Sequence, residues 1–114
     1  MTNMFGEIEP DDRGAFKEFK DLTSDYLFGE IWSREGLGLR ERSLVTVTIL
    51  VATGKEVQLK VHLKGAIANG LTVDELKEAM IHAAHYAGWP STMNGLKVLQ
   101  DFVDDNGLEF SDSE

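Results

Sequence analysis

Apolar residues recur at helical spacing in three parts of the chain. The first set lies within residues 11–27, the second within 72–87, and the third follows Pro90. Their members are spaced mainly by three or four positions, which places them on one face of a helix. The pattern therefore predicts three amphipathic helices with buried apolar faces. The three sets are Phe16, Phe19, Leu22, Tyr26 and Leu27; Leu76, Met80, Ala83, Ala84 and Ala87; and Met93, Leu96, Leu99, Phe102 and Val103.

Local signals mark the ends of the second and third helices. Thr72 and Glu75 have the spacing of a capping box, in which each side chain bonds the backbone N–H of the other residue. Gly88 ends the second helix and is expected to adopt a backbone conformation that a side chain would disfavour. Pro90 suits the first turn of the third helix, which an Asn-Gly pair at 106–107 ends.

The middle of the chain fits two structures. Residues 45–51 are rich in β-branched side chains and residues 57–64 alternate apolar with polar, which is typical of a β-hairpin. The same stretch also fits helices, because Leu59, Leu63 and Ala66 fall on one helix face. Periodicity alone leaves both possibilities open.

The composition is typical of one soluble globular domain. The chain has 114 residues, of which 42% are hydrophobic and 27% charged, close to the average for such proteins. No apolar run approaches the roughly 18–20 residues that span a bilayer. The N-terminus carries acidic residues where a signal peptide has Lys or Arg. We therefore expect a soluble, cytoplasmic protein without a membrane partner.

The net charge of −9 comes from the two ends of the chain. Residues 1–12 hold four acidic residues and residues 101–114 hold six, and neither stretch contains a base. The remaining stretch has ten acids and eleven bases, a charge of +1. Within residues 34–64 there are six bases and three acids, and this local +3 could serve an anionic small molecule but is too small to indicate nucleic-acid binding. We expect an acidic segment at 1–12, a single helical domain at 13–105 and an acidic tail at 106–114.

Several short motifs, taken in order, resemble the carboxymuconolactone decarboxylase family. The likeness extends over roughly residues 13–103, and it depends on the order and spacing of the motifs more than on any one of them. The motifs are F-G-E-I-W (28–32), R-E-R-S-L (40–44), H-L-K-G-A (62–66) with Gly70, T-V-D-E-L (72–76) and Y-A-G-W-P (86–90).

The resemblance implies an all-α fold, that of the alkylhydroperoxidase-D-like proteins, with about five to six helices. It implies helices over 40–53 and 55–69 in place of the hairpin. It also implies a homo-oligomer, either a trimer or a hexamer. A second observation favours an oligomer, because the polar side of the helix over 72–87 carries two His and a Tyr instead of solvating charges.

Thiol chemistry is excluded, because the chain has no cysteine. The peroxidase branch of the superfamily uses a Glu, a Cys-x-x-Cys pair and a His. When the chain is aligned on His62, the other three positions hold Ser43, Lys55 and Gln58. The resemblance is therefore to the decarboxylase branch.

The reaction implied by the resemblance is the loss of CO2 from γ-carboxymuconolactone. The C=C bond and lactone carbonyl of this compound accept the electron pair that CO2 leaves behind, so we expect no metal and no organic cofactor. The protein has to hold the carboxylates, stabilise the dienolate and return a proton to carbon.

Two histidines are candidate catalytic residues. His62 matches the family position and titrates near neutral pH, so it is the first candidate for the proton donor. His82 is the second, because Glu78, His82 and Tyr86 form one polar row on their helix. Each histidine also has a simpler explanation. His62 could be exposed or could form a structural hydrogen bond, and His82 could form a hydrogen bond between subunits.

Three arginines are candidate ligands of a substrate carboxylate. Arg40, Arg42 and Arg34 stand just before or at the start of an apolar helix, and guanidinium groups bind carboxylates in a bidentate manner. The simpler explanation is a solvated arginine, or an ion pair with Glu35 or Glu41.

Two aromatic residues, Tyr86 and Trp89, could form a wall of the substrate pocket, or could simply pack at a turn between helices. His82 and His85 with Glu78 could in principle bind a metal. A histidine pair at i, i+3 without a third spaced ligand is a weak signal, and we expect no metal site.

The sequence therefore predicts a cofactor-independent decarboxylase, a carbon–carbon lyase that acts on a small anionic lactone. One alternative is a non-catalytic helical oligomer that binds a small ligand or another enzyme. Another is an isomerase or hydrolase that uses the same residues on an anionic substrate.

Overall fold

The computed structural model describes residues 13–111. All regular structure in this range is helical, which confirms the all-α prediction. No helix in it is both long and apolar enough to cross a membrane. The predicted segment 1–12 and the last three residues of the predicted tail lie outside the described range. The elements are α1 (Gly14–Leu22), a π-helix (Thr23–Ile31), α2 (Leu39–Ala52), α3 (Glu56–Ala68), α4 (Val73–Ala87) and α5 (Trp89–Asp105).

The two middle segments are the helices α2 and α3, as the resemblance implied, and not a hairpin. Both helices insert large apolar side chains into the core, where Val47, Val51, Leu59 and Leu63 are almost fully buried. A tight turn at Gly54, with φ of +70°, joins them. Burial of one helix face therefore outweighs the preference of β-branched residues for strands.

The core lies between α2, α3, α4 and α5, and α2 packs against each of the other three. Gly95 lets α5 approach α2 closely, because a Cβ atom there would lie 3.0 Å from Cγ1 of Val51. The largest fully buried side chains are Leu59, Leu63, Leu76, Met80, Leu99, Val47 and Val51.

The predicted capping box and helix ends are confirmed. The Thr72 hydroxyl accepts a hydrogen bond from the Glu75 N–H at 3.1 Å. Oε1 of Glu75 in turn accepts one from the Thr72 N–H at 2.9 Å. Gly88 has φ of +106°, a conformation that L side chains rarely adopt, and it allows α5 to begin immediately at Trp89.

The residues after α5 lie along the body of the bundle. Leu108 and Phe110 pack against the core. The Ser111 N–H donates to the carboxylate of Asp74 at 3.1 Å. The described part of the predicted tail is therefore attached to the start of α4.

The first two helical elements, residues 14–31, form what we call the N-terminal arm. Its predicted apolar stripe is present, but α1 buries none of its side chains, and Phe19 is 67% exposed. The prediction that this stripe faces the core is wrong, since the core of the described residues is built from later elements. Trp32, which is buried, follows directly after the arm.

Candidate functional site

The predicted site residues do not converge on one cavity within a single chain. Arg42 and Arg34 flank two adjoining pockets around Trp32. Arg40 and His82 line a groove between α2 and α4. Trp89 lines an apolar pocket at the corner between α4 and α5. None of these cavities includes His62 in its lining.

Arg42 stands at a pocket of about 240 Å³ that we call the Trp32 pocket. One amino group of its guanidinium, Nη2, donates to the backbone carbonyl of Arg34 at 3.1 Å. Its Nε is buried and has no hydrogen-bond partner among residues 13–111. A buried charged N–H group that has no hydrogen-bond acceptor costs free energy. The guanidinium of Arg42 therefore lacks one hydrogen-bond acceptor. The lining residues are Leu27, Ile31, Trp32, Leu37, Arg42, Val45 and Thr46.

Positive charge is concentrated around Trp32. The adjoining pocket of about 340 Å³ holds Arg34 and shares Trp32 and Leu37 with the Trp32 pocket. No acidic side chain lines either of the two pockets. Two guanidinium groups beside apolar walls, without a lining carboxylate, form a setting that favours an anion.

Arg40 has a different environment. Its Nη2 forms a close ion pair with Oε2 of Glu75, and its Nη1 lies 3.6 Å from a carboxylate oxygen of Glu41. The pair with Glu41 matches the simpler explanation considered from the sequence. The pair with Glu75 was not predicted, because the capping box already gave Glu75 a local role and its partner lies 35 positions away.

The groove that contains Arg40 measures about 530 Å³. Its charged and titratable lining residues are Arg40 and His82 together with Glu75 and Glu78. The two carboxylates outnumber the one arginine, so the groove suits an anion less well than the pockets around Trp32 do. Its other lining residues are Leu44, Thr48, Leu71 and Ala79.

His82 is exposed on α4, and its ring lies 5.3 Å from the ring of Tyr86, centroid to centroid. Tyr86 is itself 82% exposed. The other histidine of this helix is held differently: Nδ1 of His85 lies 3.1 Å from the carbonyl oxygen of Ile81, one turn earlier. Of the two, His82 is the one that lines a groove.

His62 lies on α3 and is half-buried, with its Nδ1 inaccessible to solvent. Desolvation by burial lowers the pKa of His62 below its ordinary value of 6.5. At the end of α3, the Asn69 side-chain amide donates to the buried hydroxyl of Ser43 at 2.9 Å, which ties this helix end to α2. Ser43, which belongs to the R-E-R-S-L motif, therefore takes part in a contact between two helices.

The pKa of His62 has a consequence for stability. Because the unfolded chain binds a proton at His62 at a higher pH than the native protein does, stability should fall as the pH drops below about 6.5. The loss should end once the pH is below the native pKa. His62→Gln should show a smaller fall in the urea midpoint between about pH 7.5 and pH 5.5. An equal fall in the urea midpoint of the wild type and of His62→Gln would show that His62 does not cause the loss of stability.

The α4–α5 corner holds a small apolar pocket of about 120 Å³. Trp89 and Met93 form its exposed rim, each more than half exposed. The complete lining is Ile81, Ala84, Trp89, Thr92, Met93 and Leu96.

Between residues 13 and 111, no group of three or more His, Asp or Glu side chains is placed to hold a metal ion.

Comparisons with known proteins identify the class. A 4-carboxymuconolactone decarboxylase from Acinetobacter baylyi is 39% identical over 92 residues, which is 81% of this chain and 69% of that protein. A nitrosuccinic acid decarboxylase from Metarhizium robertsii is 36% identical over 86 residues, 75% of this chain and 60% of that protein. The chain is therefore an enzyme of the decarboxylase type.

A family model also matches most of the chain. Residues 17–101 match the model of the carboxymuconolactone decarboxylase family. The chain belongs to this family, as its motifs indicated. An uncharacterised 15.0 kDa protein of Paracoccus denitrificans is also similar, with 31% identity over 75 residues, which is 64% of this chain and 56% of that protein.

Proposed function

We propose that this chain is a cofactor-independent decarboxylase of a small acid that carries a second carboxylate. Arg42, assisted by Arg34, binds the carboxylate that is retained. A histidine, His62 or His82, returns the proton. The main support for this proposal is that the guanidinium of Arg42 lacks one hydrogen-bond acceptor and stands at an apolar pocket with no acidic lining residue.

The acids named for the two relatives support a mechanism without a cofactor. Each has an electron-withdrawing group that can accept the pair of electrons released when the C–C bond to CO2 breaks. In carboxymuconolactone this group is the conjugated lactone carbonyl, and in nitrosuccinic acid it is the nitro group. The electron pair moves onto oxygen, and a proton then forms the new C–H bond.

The chain's residues supply what this chemistry needs. Arg42 can give two parallel hydrogen bonds to a carboxylate, and this fixes the substrate in one orientation. Trp32, Leu37 and Val45 give the pocket apolar walls, and an ion pair is stronger beside apolar surroundings than in bulk water. Arg40 has no part in substrate binding in this proposal, because Glu75 already neutralises it.

The proposal predicts CO2 release by the purified protein with a chelator present. Carboxymuconolactone and nitrosuccinic acid are the first substrates to test. Each is compared with a derivative in which the carboxyl group that the reaction retains is esterified. We expect release from at least one free acid, and a kcat/KM about 100-fold lower for its ester, since the bidentate ion pair is lost. A folded protein that releases no CO2 from either acid would contradict the proposal and favour a binding protein.

A further inference from the structure

Thr46 contributes the only hydroxyl side chain to the lining of the Trp32 pocket. It lies on α2, four residues after Arg42, so the two side chains share one face of the helix. The guanidinium of Arg42 reaches back to the carbonyl of Arg34, a residue that precedes α2. Thr46 therefore stands farther along the same pocket than the group proposed to bind the retained carboxylate.

The hydroxyl of Thr46 is not used within the helix. A threonine in a helix commonly donates its hydroxyl to a backbone carbonyl three or four residues earlier. Thr48 and Thr53 both do so, with bonds of 2.8 Å to carbonyl oxygens one turn earlier. The side chain of Thr46 makes no hydrogen bond to any residue between 13 and 111. Its hydroxyl is therefore available to a molecule in the pocket.

The proposed reaction develops negative charge away from the retained carboxylate. When the C–C bond to CO2 breaks, its electron pair moves onto an oxygen of the lactone carbonyl or of the nitro group. A hydrogen-bond donor at this oxygen stabilises the transition state more than the bound substrate, and so raises kcat. Apart from Arg42, Thr46 and the indole of Trp32, the lining side chains are aliphatic. Few side chains of the pocket can therefore supply such a donor.

We propose that Thr46 is a catalytic residue that donates a hydrogen bond to the oxygen that receives the electron pair. Arg42 holds the retained carboxylate while the C–C bond breaks and CO2 leaves without the bonding pair. That pair forms a dienolate from the lactone, or a nitronate from the nitro acid. The Thr46 hydroxyl stabilises the anionic oxygen and keeps its own proton. A histidine then protonates the carbon, which restores the carbonyl or nitro group.

This inference rests on the proposed function and adds the class of substrate. The group that accepts the electron pair ends in an oxygen, because the donor of the pocket is a hydroxyl. The retained carboxylate and this oxygen belong to different parts of the substrate, as Arg42 and Thr46 stand one helical turn apart.

Thr46→Val tests this role, because valine has nearly the same shape and lacks the hydroxyl. With whichever acid the wild type decarboxylates, we expect kcat to fall about 100-fold. Succinate has no group that accepts the electron pair, so its inhibition constant should stay within about twofold of the wild-type value. Thr46→Ser keeps the hydroxyl and should recover most of kcat. A wild-type kcat in Thr46→Val would overturn the proposal, and so would a rise in the succinate inhibition constant equal to the fall in kcat.

Thr53→Val is the matched control. Thr53 is exposed at the end of α2, and its hydroxyl already donates to a backbone carbonyl. The same loss of a hydroxyl group there should leave kcat unchanged. An equal fall of kcat in Thr46→Val and Thr53→Val would show a general effect on α2 and would overturn the proposal.

The proposed function and the role of Thr46 fail on different results. If Arg42→Met keeps its kcat/KM, or if the wild type releases no CO2 from either acid, the proposed function is wrong and the role of Thr46 falls with it. If Arg42→Met loses its activity while Thr46→Val keeps it, the proposed function stands and the role of Thr46 is overturned.

Discussion

Replacement of Arg42 by Met is expected to lower kcat/KM by about 100-fold, which corresponds to about 3 kcal/mol for the loss of a charged, bidentate pair. Most of the loss should appear as a higher KM, because the carboxylate is bound in both the ground state and the transition state. Met fills much of the volume of the arginine stem, so the fold should be retained. Steady-state kinetics and circular dichroism measure the two effects.

Two further variants make this prediction specific to the guanidinium of Arg42. Arg42→Lys should recover only part of the loss, since an ammonium group cannot form the bidentate pair. Arg40→Met should change kcat/KM by less than about tenfold, because Arg40 is already paired with Glu75. A larger loss in Arg40→Met than in Arg42→Met would place the substrate in the groove between α2 and α4.

Replacement of His82 by Gln is expected to lower kcat by a factor of about 10² to 10⁴, the usual contribution of a general acid. The KM should change little, because the proposed role of His82 is to return a proton to the carbon that loses CO2 and not to bind the retained carboxylate. Rapid measurement of CO2 release in the wild type, His82→Gln and His85→Gln gives the comparison. Normal turnover in His85→Gln would show that the loss is not a general effect on α4.

His62, the other histidine predicted from the sequence, is the competing candidate for the proton donor. If His62→Gln lost its activity while His82→Gln kept it, the proton donor would be the half-buried His62 of α3. The burial that lowers the pKa of His62 makes it the stronger acid once it is protonated, so this alternative has a physical basis. The two glutamine variants separate the possibilities directly.

The parts of the fold that depend on local sequence could be predicted from the sequence. The capping box at Thr72 and the left-handed glycine at Gly88 involve only neighbouring residues, and both were predicted. Helices α2 and α3 could not be derived from periodicity. Their apolar residues fit a helix face and a strand face equally well, and the resemblance to a family decided between them.

The features that could not be predicted from the sequence depend on residues that are far apart in the chain or on contacts outside it. The apolar stripe of the arm predicts a covered face, and spacing cannot distinguish a cover from the same chain from one in another copy. The ion pair of Arg40 with Glu75 joins α2 to α4 across 35 positions. Arg42 could be named as a candidate carboxylate ligand from its chemistry, but its pocket is lined by residues of both the arm and α2 around Trp32.

The central claim is that Arg42 binds a carboxylate beside Trp32, and ligand binding tests it most directly. The chain has two tryptophans, so Trp89→Phe leaves Trp32 as the only strong fluorophore. Succinate carries two carboxylates but no group that accepts the electron pair, so it can bind without reacting. Titration with succinate should change the Trp32 emission and saturate, and adding Arg42→Met should abolish this change. Saturation with unchanged affinity in the Arg42→Met protein would contradict the claim.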